Sequence, residues 1–267
     1  MSMSEAEIAT YRRDGLVVPD YRLPDETLTR MRAALDRLIA ANPNVSRDSM
    51  FCPHIRSGGV QGLGGTDEWL DFARLPAVLD MVEQLIGPDI VLWGTTLFGK
   101  PAGQGKEVPW HQDGEYWPIR PLATCSVWIA LDDCDAENGC LRCVPGSHAC
   151  RRLLRHRVTE RDGIVLNQEL EPGEFDEREA RDVVLKAGQM SFHDVYMIHG
   201  SRPNRSARRR AGYVLRFMPA TSHFDRALGA TLAARSGVVD FVKRPIWLLR
   251  GVDRSGLNDF NIGHQEQ

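Results

Sequence analysis

The chain has no excess of either charge: 33 basic against 36 acidic side chains leave a net −3 over 267 residues. That balance argues against a protein whose main partner is nucleic acid or an anionic membrane. Lysine is scarce, since only Lys100, Lys106, Lys186 and Lys243 stand among the 33 basic residues, a bias of codon usage rather than mechanism. No apolar run approaches the roughly 18 residues of a membrane span. Met1–Asp14 is polar and acidic, unlike a signal peptide, so the expectation is a cytoplasmic protein. The six cysteines (Cys52, Cys125, Cys134, Cys140, Cys143, Cys150) are scattered through a chain too large for a disulfide scaffold. Cys140 and Cys143 have zinc-knuckle spacing, but no second C-x-x-C completes four ligands, so they read as ordinary thiols.

No repeat and no linker divides the chain. With 42% hydrophobic and 26% charged residues it reads as one globular domain over 1–267. Residues 1–87 look helical. Ser4-Glu5-Ala6-Glu7 has a capping-box pattern, Leu28, Met31, Leu35 and Leu38 recur at helical steps, and Leu75–Ile86 runs between Pro76 and Gly87. Phe51–Gly65 lacks periodicity, and its glycines at 58, 59, 62, 64 and 65 suggest a loop that closes over a site. After Gly87 the period changes to two. Ile90–Gly99, Thr124–Leu131, Cys140–Val144, Val183–Leu185, Gln189–Phe192 and Gly212–Phe217 read as strands of a core over 88–220. Arg151–Ala180 reads as a polar insertion, and 221–267 as an extension with a short helix near Asp225–Arg235. Helices first and many strands later is the α+β pattern, its strands forming a barrel or jelly roll.

The chemistry begins at His111-Gln112-Asp113. A histidine and a carboxylate two apart on an extended segment project from one face and can reach a single cation. Two ligands make a poor site. A third is offered by the segment Gln189–Asn204, which contains His193 and His199, with Arg210 eleven residues beyond His199. Two histidines and one carboxylate suit a non-haem Fe(II) oxygenase. Such an iron holds a 2-oxo acid, whose far carboxylate calls for the planar fork of an arginine.

At these residues the chain resembles the phytanoyl-CoA dioxygenase-type Fe(II)/2-oxoglutarate oxygenases, from about Ile90 to Phe217. The motifs are His111-x-Asp113, Trp128-Ile-Ala-Leu-Asp132, Glu137-Asn-Gly-Cys-Leu141, Val144-Pro-Gly-Ser-His148 and His199-Gly-Ser-x-x-Asn204-Arg-Ser206, followed by Arg210. The resemblance implies a double-stranded β-helix of the cupin-like kind with the helices packed on one sheet. It implies iron on His111, Asp113 and His199, and 2-oxoglutarate salt-bridged by Arg210 with Lys100, Thr124, Ser126 and Trp128 nearby. His193 lacks both the Gly-Ser-x-x-Asn block and an arginine eleven residues on, so His199 is preferred.

Other features have plainer readings. His148 orders a turn, and Asp132, Asp133 and Asp135 form a solvated turn between strands. The arginine run 202–210 turns one member inward; Arg210, Gly212, Val214 and Arg216 share a strand face, and Arg210 is favoured. Halogenases of this type carry a small residue where Asp113 stands, so the expected reaction is hydroxylation: O₂ and 2-oxoglutarate are consumed, and CO₂ and succinate released. Desaturation and ring closure share that chemistry. Tyr116, Trp117 and Arg120 are expected at the mouth of the site, with His54 and Arg56 on the glycine-rich loop. Together they suggest a small anionic substrate such as 2-aminoethylphosphonate. An acyl-CoA, a natural-product intermediate, and a jelly-roll protein that binds without turnover are the alternatives. Nothing in the pattern sets an oligomeric state.

Overall fold

A computed structural model describes residues 1–56, 62–236 and 241–264. The N-terminal part is helical: α1 (Glu5–Asp14), α2 (Asp25–Ala41), α3 (Asp67–Ala73) and α4 (Pro76–Ile86). The capping box at α1 forms as its sequence dictates. The Glu7 amide donates to Ser4 Oγ (3.3 Å) and the Ser4 amide donates to Glu7 Oε2 (2.7 Å). Gly15 ends the helix at φ +74, and any side chain there would strike the His148 ring, whose Nε2 lies 3.2 Å from the Arg12 carbonyl. His148 thus ties its own turn to the end of α1. Helix α2 buries Leu28, Met31, Leu35 and Leu38, and α4 buries Val78, Leu79, Met81 and Val82. Helix α3, seven residues long, is too short to announce itself by periodicity. None of the described helices is long and apolar enough to cross a membrane.

The strands in chain order are β1 (Leu16–Val17), β2 (Met50–Phe51), β3 (Ile90–Lys100), β4 (Val108–His111), β5 (Ile119–Arg120), β6 (Cys125–Ala130), β7 (Leu141–Cys143) and β8 (His156–Val158). After these come β9 (Gln168–Leu170), β10 (Arg181–Val183), β11 (Met190–Asp194), β12 (His199–Ser201), β13 (Arg210–Pro219), β14 (His223–Phe224) and β15 (Trp247–Arg250). Two antiparallel sheets carry the fold. The larger runs β1-β11-β6-β13-β3-β15 with β2 also on β3, and the smaller runs β10-β7-β12-β4.

Alternation along the larger sheet divides its residues between two environments. Val127, Phe192, Tyr213, Leu215 and Phe217 join α1–α4 in the main hydrophobic core. The opposite face carries Trp128, His193, Val214 and Arg216 toward a cavity whose other wall includes residues of the smaller sheet. The helices therefore pack on one sheet, and the site lies on the other side of that sheet.

The structure alters several expected boundaries. The strand expected at Val183–Leu185 lies at Arg181–Val183, with Leu185 making a separate bridge to Cys134. The polar insertion contains the β8–β9 hairpin, and β9 lies against β4. The helix expected near Asp225–Arg235 is α5 (Arg226–Ser236), and beyond it β15 adds to the edge of the larger sheet at β3. That strand is short and its neighbours mix polar and apolar residues, so it had no legible period. The expected closing loop falls partly on residues 57–61, outside the described residues.

Candidate metal centre

His111 closes β4 and His199 opens β12. The antiparallel pairing of these strands sets the two residues directly opposite one another, Cα to Cα. Asp113 follows where β4 breaks into a short 3₁₀ turn (Asp113–Tyr116), which folds its carboxylate back toward both rings. His111 Nε2 lies 3.4 Å and His199 Nε2 3.9 Å from Asp113 Oδ1. One potential ligand atom from each of the three residues lies within 4.8 Å of the others, and all three residues are buried.

The ring orientations fit a metal. His111 Nδ1 faces the Pro109 carbonyl (2.8 Å) and His199 Nδ1 faces the Met197 carbonyl (3.0 Å). A nitrogen so placed donates its N–H, which leaves the Nε2 lone pair free to ligate. Burial, and then the neighbouring His111 ring, push His199 to about 3, so it is neutral. Burial alone would raise Asp113, but His199, contacts from His111 and His193, and the charge of Arg216 outweigh it. They hold the carboxyl well below its ordinary range, and it is ionised.

His193 is the rival ligand and the structure brings it close, with Nε2 3.8 Å from Asp113 Oδ2. It comes from the larger sheet rather than the smaller one. Its Nδ1 is buried without a partner, so its ring lacks the orienting bond that His111 and His199 share.

The cavity measures about 370 Å³ and reaches from the metal residues along the inner face of β3 and β13. At one end stands Arg210, buried and paired in register with Lys100. Its Nε and Nη2 donate to the Gly139 carbonyl (3.1 and 2.7 Å), and its guanidinium lies 5.4 Å over Trp128. Gly212 makes this stack possible, because a Cβ there would occupy the Trp128 ring. Lys100 Nζ donates to the carbonyls of Lys106 (2.5 Å) and Arg202 (2.6 Å). Burial, with Arg210 beside it, lowers its pKa to about 6.

The remaining predicted residues divide. Tyr116 and Trp117 line the cavity, while Thr124 and Ser126 are buried with unpartnered hydroxyls and are not part of its lining. His54 is buried below the wall, its Nδ1 2.6 Å from Thr95 Oγ1 and its ring against Trp247. Arg56 is exposed and paired with Asp67, and Arg120 is exposed and donates to the Ile119 carbonyl, so neither reaches the cavity. Their places in sequence, on a loop and nine residues after His111, carried no information about which way they point. Two arginines that the sequence reading did not select, Arg216 and Arg244, do line the cavity. Arg216 was legible as a face-mate of Arg210; Arg244, in the extension, left no signal.

Comparison with known proteins identifies the family. The family model for phytanoyl-CoA dioxygenase (PhyH) matches residues 11–212. The peroxisomal phytanoyl-CoA dioxygenase of Bos taurus is 27% identical over 268 residues, covering 90% of this chain and 79% of that one. A probable phytanoyl-CoA dioxygenase of Caenorhabditis elegans is 33% identical over 216 residues, covering 73% and 69%. Among solved structures, the apo form of the non-heme monooxygenase ThoJ superposes with a TM-score of 0.72 at 26% identity, covering 94% of this chain and 86% of that one. A family match that runs from α1 into β13, and so spans every residue of the buried triad, means that this chain belongs to the phytanoyl-CoA dioxygenase family of enzymes.

Proposed function

We propose that the chain is an Fe(II)- and 2-oxoglutarate-dependent hydroxylase of a small organic substrate, its two sheets forming a double-stranded β-helix. One observation carries the reading: two Nε2 atoms and one carboxylate converge while both Nδ1 atoms are turned back onto carbonyls. That donor set suits Fe(II) with open positions. His111, Asp113 and His199 hold the metal. Arg210 clamps the far carboxylate of 2-oxoglutarate, with Lys100 and Trp128 at the same end. When bound there, the iron with its co-substrate and O₂ supplies the oxidation of a C–H bond, with release of succinate and CO₂.

The protein's part is positional and electrostatic. The β4–β12 pairing presets the two imidazoles, and the Pro109 and Met197 carbonyls fix their tautomers. Asp113 is kept ionised and committed to the metal. The aromatic wall of Trp93, Trp117, Phe98 and Phe241 excludes water from the far side and leaves space suited to a small molecule beside the co-substrate. A long acyl-CoA suits that space less well, and the compound for a first assay remains a small anion such as 2-aminoethylphosphonate.

The test is succinate formation from 2-oxoglutarate with Fe(II) and O₂, with and without added substrate. Slow uncoupled succinate release that disappears in Asp113→Ala supports the reading. Fe(II) binding without any turnover of 2-oxoglutarate would instead favour a jelly-roll protein that binds without catalysis.

A further inference from the structure

Two buried guanidinium groups stand at the end of the cavity away from Arg210. Arg216 lies six residues along β13 from Arg210, roughly 20 Å at about 3.3 Å per residue, and faces the same side. One rung of the larger sheet runs His193, Ser126, Arg216, Gly94 across β11, β6, β13 and β3. His193 touches Asp113 at the metal end of this rung. Arg216 is two strands away, about 10 Å. At Gly94 the Arg244 guanidinium comes in from the extension, its Nη1 3.6 Å from where a Cβ would stand. The two arginines thus sit over neighbouring strands, beside the metal residues and apart from the co-substrate arginine.

Among the described residues neither has a carboxylate in contact, although the charge of Asp113 acts on Arg216 across the cavity. Arg216 is 8% exposed and Arg244 is 7% exposed, and among the described residues neither forms an ion pair with a carboxylate. Arg216 gives one hydrogen bond, Nη1 to Thr96 Oγ1 at 2.6 Å, and its Nε is buried with no partner. Their other company is aromatic: Arg216 over Trp117 (5.3 Å) and Phe98 (5.9 Å), Arg244 over Phe241 (4.8 Å). A ring face satisfies a cation only in part, and an unpaired buried charge is among the costliest things a fold can hold. Asp113 shares the cavity, but its oxygens belong to the metal set.

We propose that Arg216 and Arg244 are the specificity residues of this site and bind an anionic group (carboxylate, phosphonate or phosphate) of the substrate while Trp93, Trp117 and Phe241 hold its apolar part. This rests on the oxygenase reading, which supplies the reason for a substrate to lie beside the metal residues. It also relocates the expected anion contacts from Arg56 and Arg120 to two arginines that face the cavity.

The probe is methylphosphonate, with its dimethyl ester as the uncharged control. Binding is read by tryptophan fluorescence on the Fe(II)-loaded protein under anaerobic conditions with saturating 2-oxoglutarate, so that the Arg210 end is occupied. Trp117 under Arg216 is the expected reporter. Wild type should bind methylphosphonate at least tenfold more tightly than the ester. Arg216→Gln and Arg244→Gln should each lose about tenfold or more in methylphosphonate affinity, and Arg216→Lys should recover part of it. Equal binding of anion and ester by wild type, or no binding of either, overturns the proposal whether or not the variants fold. Unchanged methylphosphonate affinity in both folded glutamine variants overturns it as well. The oxygenase reading is judged separately by Fe(II)-dependent 2-oxoglutarate binding to wild type, so it can stand when this proposal falls.

Discussion

The two faces of β13 meet opposite environments. Toward the helices, Tyr213, Leu215 and Phe217 are fully buried, and Tyr213 donates its hydroxyl to the Trp69 carbonyl at 2.7 Å. Toward the cavity, Arg210 and Arg216 are buried as charges, and the adjoining strands add Ser126, Ser191 and His193 with unpartnered polar atoms. On one face the strand's polar side chain, Tyr213, is satisfied among apolar neighbours; the other face holds groups without partners. The first stabilises the sheet, and the second is tolerable because of it. Loss of function and loss of stability should therefore separate by residue parity along a single strand.

The largest effect belongs to the metal set. His111→Ala, Asp113→Ala and His199→Ala should each lower Fe(II) affinity by about 100-fold or more, since outer-sphere partners alone are worth 10- to 100-fold. Iron content after dialysis checks this. His193→Ala should keep its iron, and full iron in His199→Ala with loss in His193→Ala would exchange their roles. On the helix-facing side, Phe217→Ala should cost roughly 3–5 kcal/mol in chemical denaturation without altering metal affinity in the folded fraction. A change in metal affinity there would show that the faces are coupled.

At the proposed co-substrate end, Arg210→Lys keeps the charge but loses the fork. We expect roughly tenfold weaker 2-oxoglutarate binding at constant iron content, measured by calorimetry. Lys100 offers a smaller, pH-dependent effect. Its folded-state value of about 6 lies below the ordinary 10.5. Between those values the unfolded chain holds a proton that the folded chain lacks, so this group's contribution makes stability fall as pH drops from 10.5 toward 6, and levels off below. Lys100→Met should thus gain stability relative to wild type as pH falls through that window. Parallel stability curves would disprove the shift. Smallest of all, Arg56→Ala at the exposed Asp67 pair should leave substrate KM and stability essentially unchanged.

What the sequence determined by itself was local and periodic. The capping box of α1, the buried stripes of α2 and α4, and the alternation in β3, β6 and β13 are near-neighbour patterns that the backbone must obey. The spacing His111-x-Asp113, with His199 and Arg210 beyond it, named the residues that the fold then gathers at the cavity. Direction in space was not legible. His193 and His199 lie six residues apart, and only their strands' membership of different sheets separates a ring turned onto a carbonyl from one with a bare Nδ1. Arg56 and Arg120 had the right chemistry and face solvent, while Arg244 arrives at Gly94 from a segment 150 residues farther along the chain. Side-chain periodicity is written in neighbouring residues, but the meeting of distant arginines depends on long-range sheet pairing and on how the C-terminal extension returns to β3.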